Sequence, residues 1–156
     1  MSELSKFFQP RSIAFVGATS DERKLGGRRF RSLVDGGFKG KIYAVHPSAK
    51  AVRGIPSYRT LLEIPSPLDL VVIVVPSDAV ESTIHDCAIL GVPAIVLISA
   101  GFGEVGPEGR RIELAMVNEI RSTGGRLIGP NCAGLFSHAA RINLGGATVP
   151  GGSVAL

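Results

Sequence analysis

Small residues stand where apolar segments end, and that pattern carries the chemistry of this sequence. The run Ser12-Ile13-Ala14-Phe15-Val16 leads directly into Gly17-Ala18-Thr19-Ser20. A buried strand that ends this way ahead of a helix lets a phosphate approach the backbone. Gly17 has no Cβ to obstruct it, and the first N–H groups of the helix are available to an anion. Arg23 and Lys24 add positive charge nearby. The next glycines are Gly26 and Gly27, so the G-x-G-x-x-G spacing of a dinucleotide fingerprint is missing. The turn points to a nucleotide-type ligand other than NAD.

Other loops share this character. His46-Pro47-Ser48-Ala49-Lys50 follows a second apolar run. At NAD sites the second strand commonly ends in an acid that binds the ribose hydroxyls. Here Lys50 stands instead, suited to a phosphorylated ribose and equally to an ordinary surface position. In Val75-Pro76-Ser77-Asp78, Ser77 or Asp78 fits a helix cap. The glycines of Ser99-Ala100-Gly101-Phe102-Gly103 permit a tight bend around a ligand. In Gly129-Pro130-Asn131-Cys132-Ala133-Gly134, Asn131 suits a ligand hydrogen bond or a turn. Cys132 lacks the setting of a nucleophile: His46, His85 and His138 are scattered, and no triad order can be read. A cysteine packed near the ligand is the better reading. Cys87 falls in the apolar stripe of a helix and reads as core. No residue is assigned a catalytic role, and no spacing suits a metal.

The elements that position these loops follow from the apolar pattern. Ile13–Val16, Ile42–Val45, Leu70–Val75, Ala94–Ile98 and Arg126–Ile128 are continuous apolar runs without polar alternation. They predict strands covered on both faces, as in a parallel sheet. Helices are predicted over Leu25–Asp35, Ala79–Leu90 and Pro107–Ser122, each followed by a glycine stop. A short helical turn is expected around Tyr58–Leu62. The fold class is α/β: a Rossmann-like, doubly wound, mainly parallel sheet with helices on both faces and ligands at the carboxyl ends of the strands.

Composition narrows the classes. A chain of 156 residues, 45% hydrophobic and 19% charged, is one domain with a sizeable core. No apolar run reaches the ~18 residues of a membrane span, and the first residues lack the apolar core of a secretory signal. Two cysteines without metal spacing suit a reduced, cytoplasmic protein. The net charge of +4 is concentrated in Arg23, Lys24, Arg28, Arg29, Arg31, Lys39 and Lys41. That cluster is either a solvated helix face or an electropositive rim for a polyphosphate. With aromatics at 6% and no stacking platform, nucleic acid is not an expected partner.

Taken in order, Phe8-x-Pro10-x-Ser12-Ile13-Ala14-Phe15-Val16-Gly17-Ala18, Val45-His46-Pro47, Val75-Pro76, Ile98-Ser99-Ala100-Gly101-Phe102-Gly103 and Ile128-Gly129-Pro130-Asn131-Cys132-Ala133-Gly134 resemble the CoA-binding domain of the ADP-forming (NDP-forming) acyl-CoA synthetases, relatives of the succinyl-CoA synthetase alpha subunit. The resemblance covers nearly the whole chain. It implies that Gly17, Ala18, Thr19, Ser20, Pro47, Lys50, Val75, Pro76, Ser99, Ala100, Gly101 and Asn131 contact CoA, with Lys24, Ser77 and Cys132 beside them. It implies that ATP or ADP, magnesium and a phosphohistidine belong to other domains or to a partner subunit. Residues 1–150 then form the CoA-binding domain, and 151–156 begin a following one. These residues alone are expected to bind CoA or acyl-CoA without turnover; the parent protein would be an acid–thiol ligase, with a homo-oligomer allowed for. The alternatives are a regulatory domain of a protein lysine acetyltransferase and an NAD(P)-binding dehydrogenase domain.

Overall fold

The computed structural model describes residues 4–65 and 67–145, so the expectation for residues 151–156 lies outside the described residues. In chain order the elements are α1 (Ser5–Phe8), β1 (Ser12–Val16), α2 (Leu25–Asp35), β2 (Lys41–Val45), β3 (Ala51–Val52), β4 (Ile55–Tyr58), β5 (Leu70–Ile73), α3 (Val80–Ile89), β6 (Ala94–Leu97), α4 (Pro107–Ser122), β7 (Arg126–Ile128), β8 (Phe136–Ser137) and β9 (Ile142–Asn143). Single 3₁₀ turns lie at Leu61–Glu63, Ser77–Ala79 and Gly103–Val105.

The seven-stranded sheet runs β3-β4-β2-β1-β5-β6-β7. All its pairs are parallel except β3 with β4. From β1 the chain builds outward through β2 to β4, then returns to lay β5 on the other flank of β1. The direction of winding therefore reverses between β1 and β5, the position where such sheets open a crevice beyond their carboxyl ends.

Every residue of β1, β5 and β6 is buried, which the unbroken apolar runs require. Alternate side chains go to opposite faces. Ala14, Val71, Ile73, Ile95 and Leu97 pack with Ile84 and Cys87 of α3 and with Met116 and Ile120 of α4. Ile13, Phe15, Val72, Ala94 and Val96 pack with Phe7 of α1, Phe30 and Leu33 of α2, and Leu135 and Ile142. Phe15 and Phe30 meet edge to face with ring centres 5.3 Å apart. The sheet is thus doubly covered, as its composition demands.

The elements depart from expectation around residue 58. Tyr58 ends a strand rather than opening a helical turn, because β4 pairs with β2 in the register Ala44↔Ser57 and Val45↔Tyr58. Its ring also meets Tyr43 edge-on at 5.9 Å. The helical turn forms only at Leu61–Glu63. The preceding hairpin turns through Arg53 and Gly54, whose φ values are 50° and 80°, as a type I′ turn requires.

Hydrogen bonding across the sheet continues past the ends of the strands. The N–H of His46 donates to Tyr58 O, Gly17 to Val45 O, Val74 to Val16 O, Ile98 to Ile73 O and Asn131 to Ser99 O, all at 2.9–3.2 Å. Ser99 locks two of these loops together. Its hydroxyl donates to Val75 O at 2.6 Å and accepts from Val75 N–H at 3.0 Å.

At the opposite edge, Asp69 fixes the start of the chain. It accepts from Lys6 Nζ and Arg11 N–H, both at 2.8 Å, and from Arg11 Nε at 3.2 Å. Burial pushes its carboxyl upward, but the Lys6 and Arg11 bonds outweigh that and hold it below the ordinary aspartate value.

Two outcomes follow. Asp69→Asn will lower stability at pH 7 by about 1.5–3 kcal/mol, toward the low end because Arg11 is solvent-exposed. A carboxyl depressed in the folded state contributes fully above the unfolded value of about 4 and loses that contribution as pH falls through its folded value. Urea unfolding of the two proteins will therefore converge in acid; a gap unchanged between pH 7 and pH 3 would refute the ion-pair account. Ser99→Ala will leave both polar groups of Val75 unpaired and cost about 1–3 kcal/mol, read as a lower urea midpoint at unchanged slope. An unmoved midpoint would mean the clamp adds nothing.

Candidate functional site

The carboxyl ends of β1, β2, β5, β6 and β7 border a cleft of about 920 Å³. Its floor and walls come from the strand-end loops, the start of α2, one face of α3 and the segment after β4. Of the residues singled out in the sequence, Gly17, Thr19, Lys24, Pro47, Val75, Pro76, Ser99, Ala100, Asn131 and Cys132 line it. Ala18 is fully buried behind it. Ser20, Lys50, Ser77 and Gly101 lie outside its lining.

The glycines explain the shape of the floor. Gly17 has a φ of 90°, and a Cβ there would stand 2.0 Å from Val74 O. A Cβ on Gly26 would stand 2.3 Å from Gly17 O, and one on Gly27 2.1 Å from Asp21 O. Helix α2 therefore starts in direct backbone contact with the β1 turn. This close helix–strand approach is the work done elsewhere by the last glycine of the dinucleotide fingerprint. Here Gly26 does it with a different spacing. The first N–H groups of α2 lack intrahelical partners by position, and Leu25 and Gly26 border the cleft.

The basic cluster divides in two. Arg23 forks onto Asp21, with Nε and Nη2 at 2.9 and 3.0 Å from its carboxylate oxygens. This hydrogen bonding holds Asp21 below the ordinary carboxylate range. Arg31 pairs with Glu22, and Arg28 donates to the carbonyls of Glu22 and Arg23. These side chains serve the helix surface. Lys24 and Arg29 instead line the cleft.

Side chains that sequence reasoning missed complete the walls. His46 lines the cleft, and its Nδ1 accepts from Ser48 N–H at 3.2 Å and Ala49 N–H at 3.0 Å. In the neutral ring the proton therefore sits on Nε2. Arg59 and Thr60 follow β4 and border the same end. Lys50 sits beyond this wall, where its carbonyl accepts from Ser57 N–H at 3.0 Å. Ser82, Thr83 and Asp86 present one face of α3. Among the described residues Asp86 is the sole acid of the lining, and burial pushes its carboxyl upward. The β4 contribution was hidden because the segment after residue 50 has no long apolar run. The α3 contribution was legible in principle: Ala79, Thr83 and Asp86 recur at helical spacing.

Several polar groups prove to be committed elsewhere. The Ser99 hydroxyl is held by Val75, so Ser99 shapes the wall through its backbone. Gly101 N–H donates to Glu104 Oε1 at 2.6 Å and Phe102 N–H to Glu104 Oε2 at 3.2 Å. The Gly101 contact leads in holding the Glu104 carboxyl below its usual range. Gly101 also packs on Ser77, whose Cβ lies 3.2 Å from where a Gly101 Cβ would be, which places both outside the lining. Cys132 Sγ lies 3.4 Å from Leu97 O. Burial pushes its thiol up, so it is protonated at neutral pH and unsuited to attack. Among the described residues no group of three metal-ligating side chains occurs, and no helix is long and apolar enough to cross a membrane.

Comparison with known proteins fits this geometry. Residues 11–138 match the CoA binding domain family. The chain is 42% identical over 141 residues to the alpha subunit of an ADP-forming acetate–CoA ligase II of Pyrococcus furiosus, covering 90% of this chain and 30% of that one. It is 37% identical over 144 residues to an ADP-forming acetate–CoA ligase of Methanocaldococcus jannaschii, covering 90% of this chain and 20% of that one. The dinucleotide-forming acetyl-coenzyme A synthetase 1 of Ca. Korarchaeum cryptofilum, solved with phosphate and ADP, superposes with a TM-score of 0.87 at 40% identity, covering 92% of this chain and 31% of that one. The present chain thus spans a fifth to a third of the length of these relatives. By family match, identity and shared fold, it belongs to the CoA binding domain family.

Proposed function

We propose that this chain holds CoA for an ADP-forming acyl-CoA synthetase, which interconverts acyl-CoA, ADP and phosphate with carboxylate, CoA and ATP. The observation that carries the reading is the cleft at the winding reversal, floored by the Gly17–Gly26 contact. Anionic phosphate suits that floor, where backbone N–H groups and Lys24 converge and no Cβ intervenes. The names of the relatives support the ligase setting and give no support to an acetyltransferase or a dehydrogenase.

Residues fall into roles by position. Gly17, Thr19, Lys24 and the start of α2 would hold the pyrophosphate. The β2 side would take the adenosine half, as in related sheets. Arg59, in the wall, is better placed than Lys50 for the ribose phosphate, and His46 offers an N–H donor beside it. Val75, Pro76, Ala100, Asn131 and Cys132 would then line the path of the pantetheine. CoA supplies the thiol that accepts the acyl group. The chain's own part is to bind and orient it, with the protonated Cys132 as packing. Nucleotide and phosphoryl-carrier chemistry would come from further domains or a partner subunit.

Titration calorimetry will show tighter binding of CoA than of NAD; equal or tighter NAD binding would defeat the reading. Arg59→Ala will cut the preference for CoA over dephospho-CoA by about tenfold, the scale of one charge-assisted contact. Lys50→Ala will change it little. The reverse result would assign the ribose phosphate to Lys50.

A further inference from the structure

Arg29 has no part in the roles assigned above. It lines the cleft from α2, and its Nε is buried without a hydrogen-bond partner. Its basic neighbours are engaged: Arg28 donates to the carbonyls of Glu22 and Arg23, and Arg31 pairs with Glu22 and Asp35. Arg29 joins no ion pair among the described residues. Asp86, the acid of the lining, does not compensate it. Ile84 and Cys87, beside Asp86 on α3, pack on one face of the sheet, and Phe30, next to Arg29, packs on the other. A guanidinium N–H buried without an acceptor destabilises the fold that holds it, and a bound anion removes that cost.

The position of Arg29 on α2 narrows the anion. It follows Gly26 by three residues, so the two share a face of the helix. Helical side chains lean toward the N-terminus and cover the preceding turn. That turn is the one in contact with Gly17, where a Gly26 Cβ would stand 2.3 Å from Gly17 O. Arg29 therefore stands over the floor of the cleft, behind Lys24. Lys24 is exposed, whereas Arg29 is part-buried, so water and salt screen its charge less. Leu61, two residues after Arg59, packs in the α3 layer, opposite Phe30. The two arginines thus reach the cleft from opposite faces of the sheet. CoA carries two anionic groups; the ribose phosphate suits Arg59, and the pyrophosphate on the floor suits Arg29.

We propose that Arg29 is an affinity-determining residue that lacks a counter-charge in the free chain and receives it from the pyrophosphate of CoA, so that at this position ligand affinity is gained at the expense of the stability of the free fold. The planar fork of arginine spans two phosphate oxygens, which a lysine cannot do. An apolar side chain of similar length would remove the uncompensated charge and leave the helix packing in place. Stability and binding are then opposed in one side chain, as at other sites built for function. The inference rests on the CoA reading above and adds to it a coupling between ligand and folding.

The test pairs urea unfolding with titration calorimetry on the 156-residue chain and its Arg29→Met variant. Without ligand, Arg29→Met will unfold at a higher urea midpoint than the wild-type chain. With ligand it will bind CoA and dephospho-CoA about tenfold or more weakly, by the same factor for each, and CoA will raise its midpoint less than that of the wild-type chain. Arg29→Lys, which keeps the charge without the fork, will bind CoA with an affinity between the two. Unchanged CoA binding by Arg29→Met would overturn the proposal. Loss of the preference for CoA over dephospho-CoA would also overturn it, by assigning Arg29 to the ribose phosphate. A lower midpoint for ligand-free Arg29→Met, or its failure to fold, would overturn it too, because Arg29 would then be serving the free fold. Failure of CoA to bind the wild-type chain would bring down this inference together with the reading beneath it.

Discussion

The hydrogen-bond ladder does not stop where the strands do. Val16, Val45, Tyr58 and Ile73 each offer a carbonyl to the first N–H of a neighbouring loop, and Ser99, beyond its own strand, offers one to Asn131 N–H. Those bonds carry the regularity of the sheet one residue further, into segments whose sequences are irregular. A loop held at its root by its neighbour's strand has few ways to move. The small residues at the strand ends are needed because these loops lie side by side at strand spacing, about 4.8 Å.

On this frame the electrostatics are sorted by neighbours rather than by residue type. Arg23, Arg28, Arg29 and Arg31 sit within nine residues of one another, yet Asp21 and Glu22 capture some of them and leave Arg29 facing inward. At the β6 end, Glu104 and Ser99 occupy backbone groups that a ligand would otherwise meet. The cleft therefore presents apolar wall over much of the β5–β6 side and concentrates its donors at the β1 turn and beyond β2.

Much of this was legible in the sequence. The runs Ile13–Val16 and Leu70–Val75 read as strands covered on both faces, the second ending earlier, at Ile73, in the structure, and Pro107 and the glycines after Asp35 and Ser122 marked the ends of α2 and α4. The strand-end loops were therefore identifiable as neighbours from the apolar pattern alone. Three features resisted. The hairpin Ala51–Tyr58 is too short and polar to announce itself except through Arg53-Gly54. The fate of each arginine depends on partners, one of them 31 residues away in the case of Glu22 and Arg53. The bond between the Ser99 hydroxyl and Val75 joins two different loops, and no periodicity links positions 24 apart.

The meeting of Gly17 with Gly26 changes what a phosphate-binding signature is. A fingerprint written as fixed spacing assumes that the two glycines are separated by one particular turn. In this protein eight residues lie between them, and that segment swings outward through the Asp21–Arg23 fork before returning. What is preserved is a backbone contact between two points, not the path that joins them. Insertions or deletions in residues 18–25 should be tolerated across a lineage as long as the returning helix still presents a hydrogen, rather than a carbon, to the Gly17 carbonyl. A search for two glycines that touch would recognise such sites where a search for two glycines that are counted would pass them by.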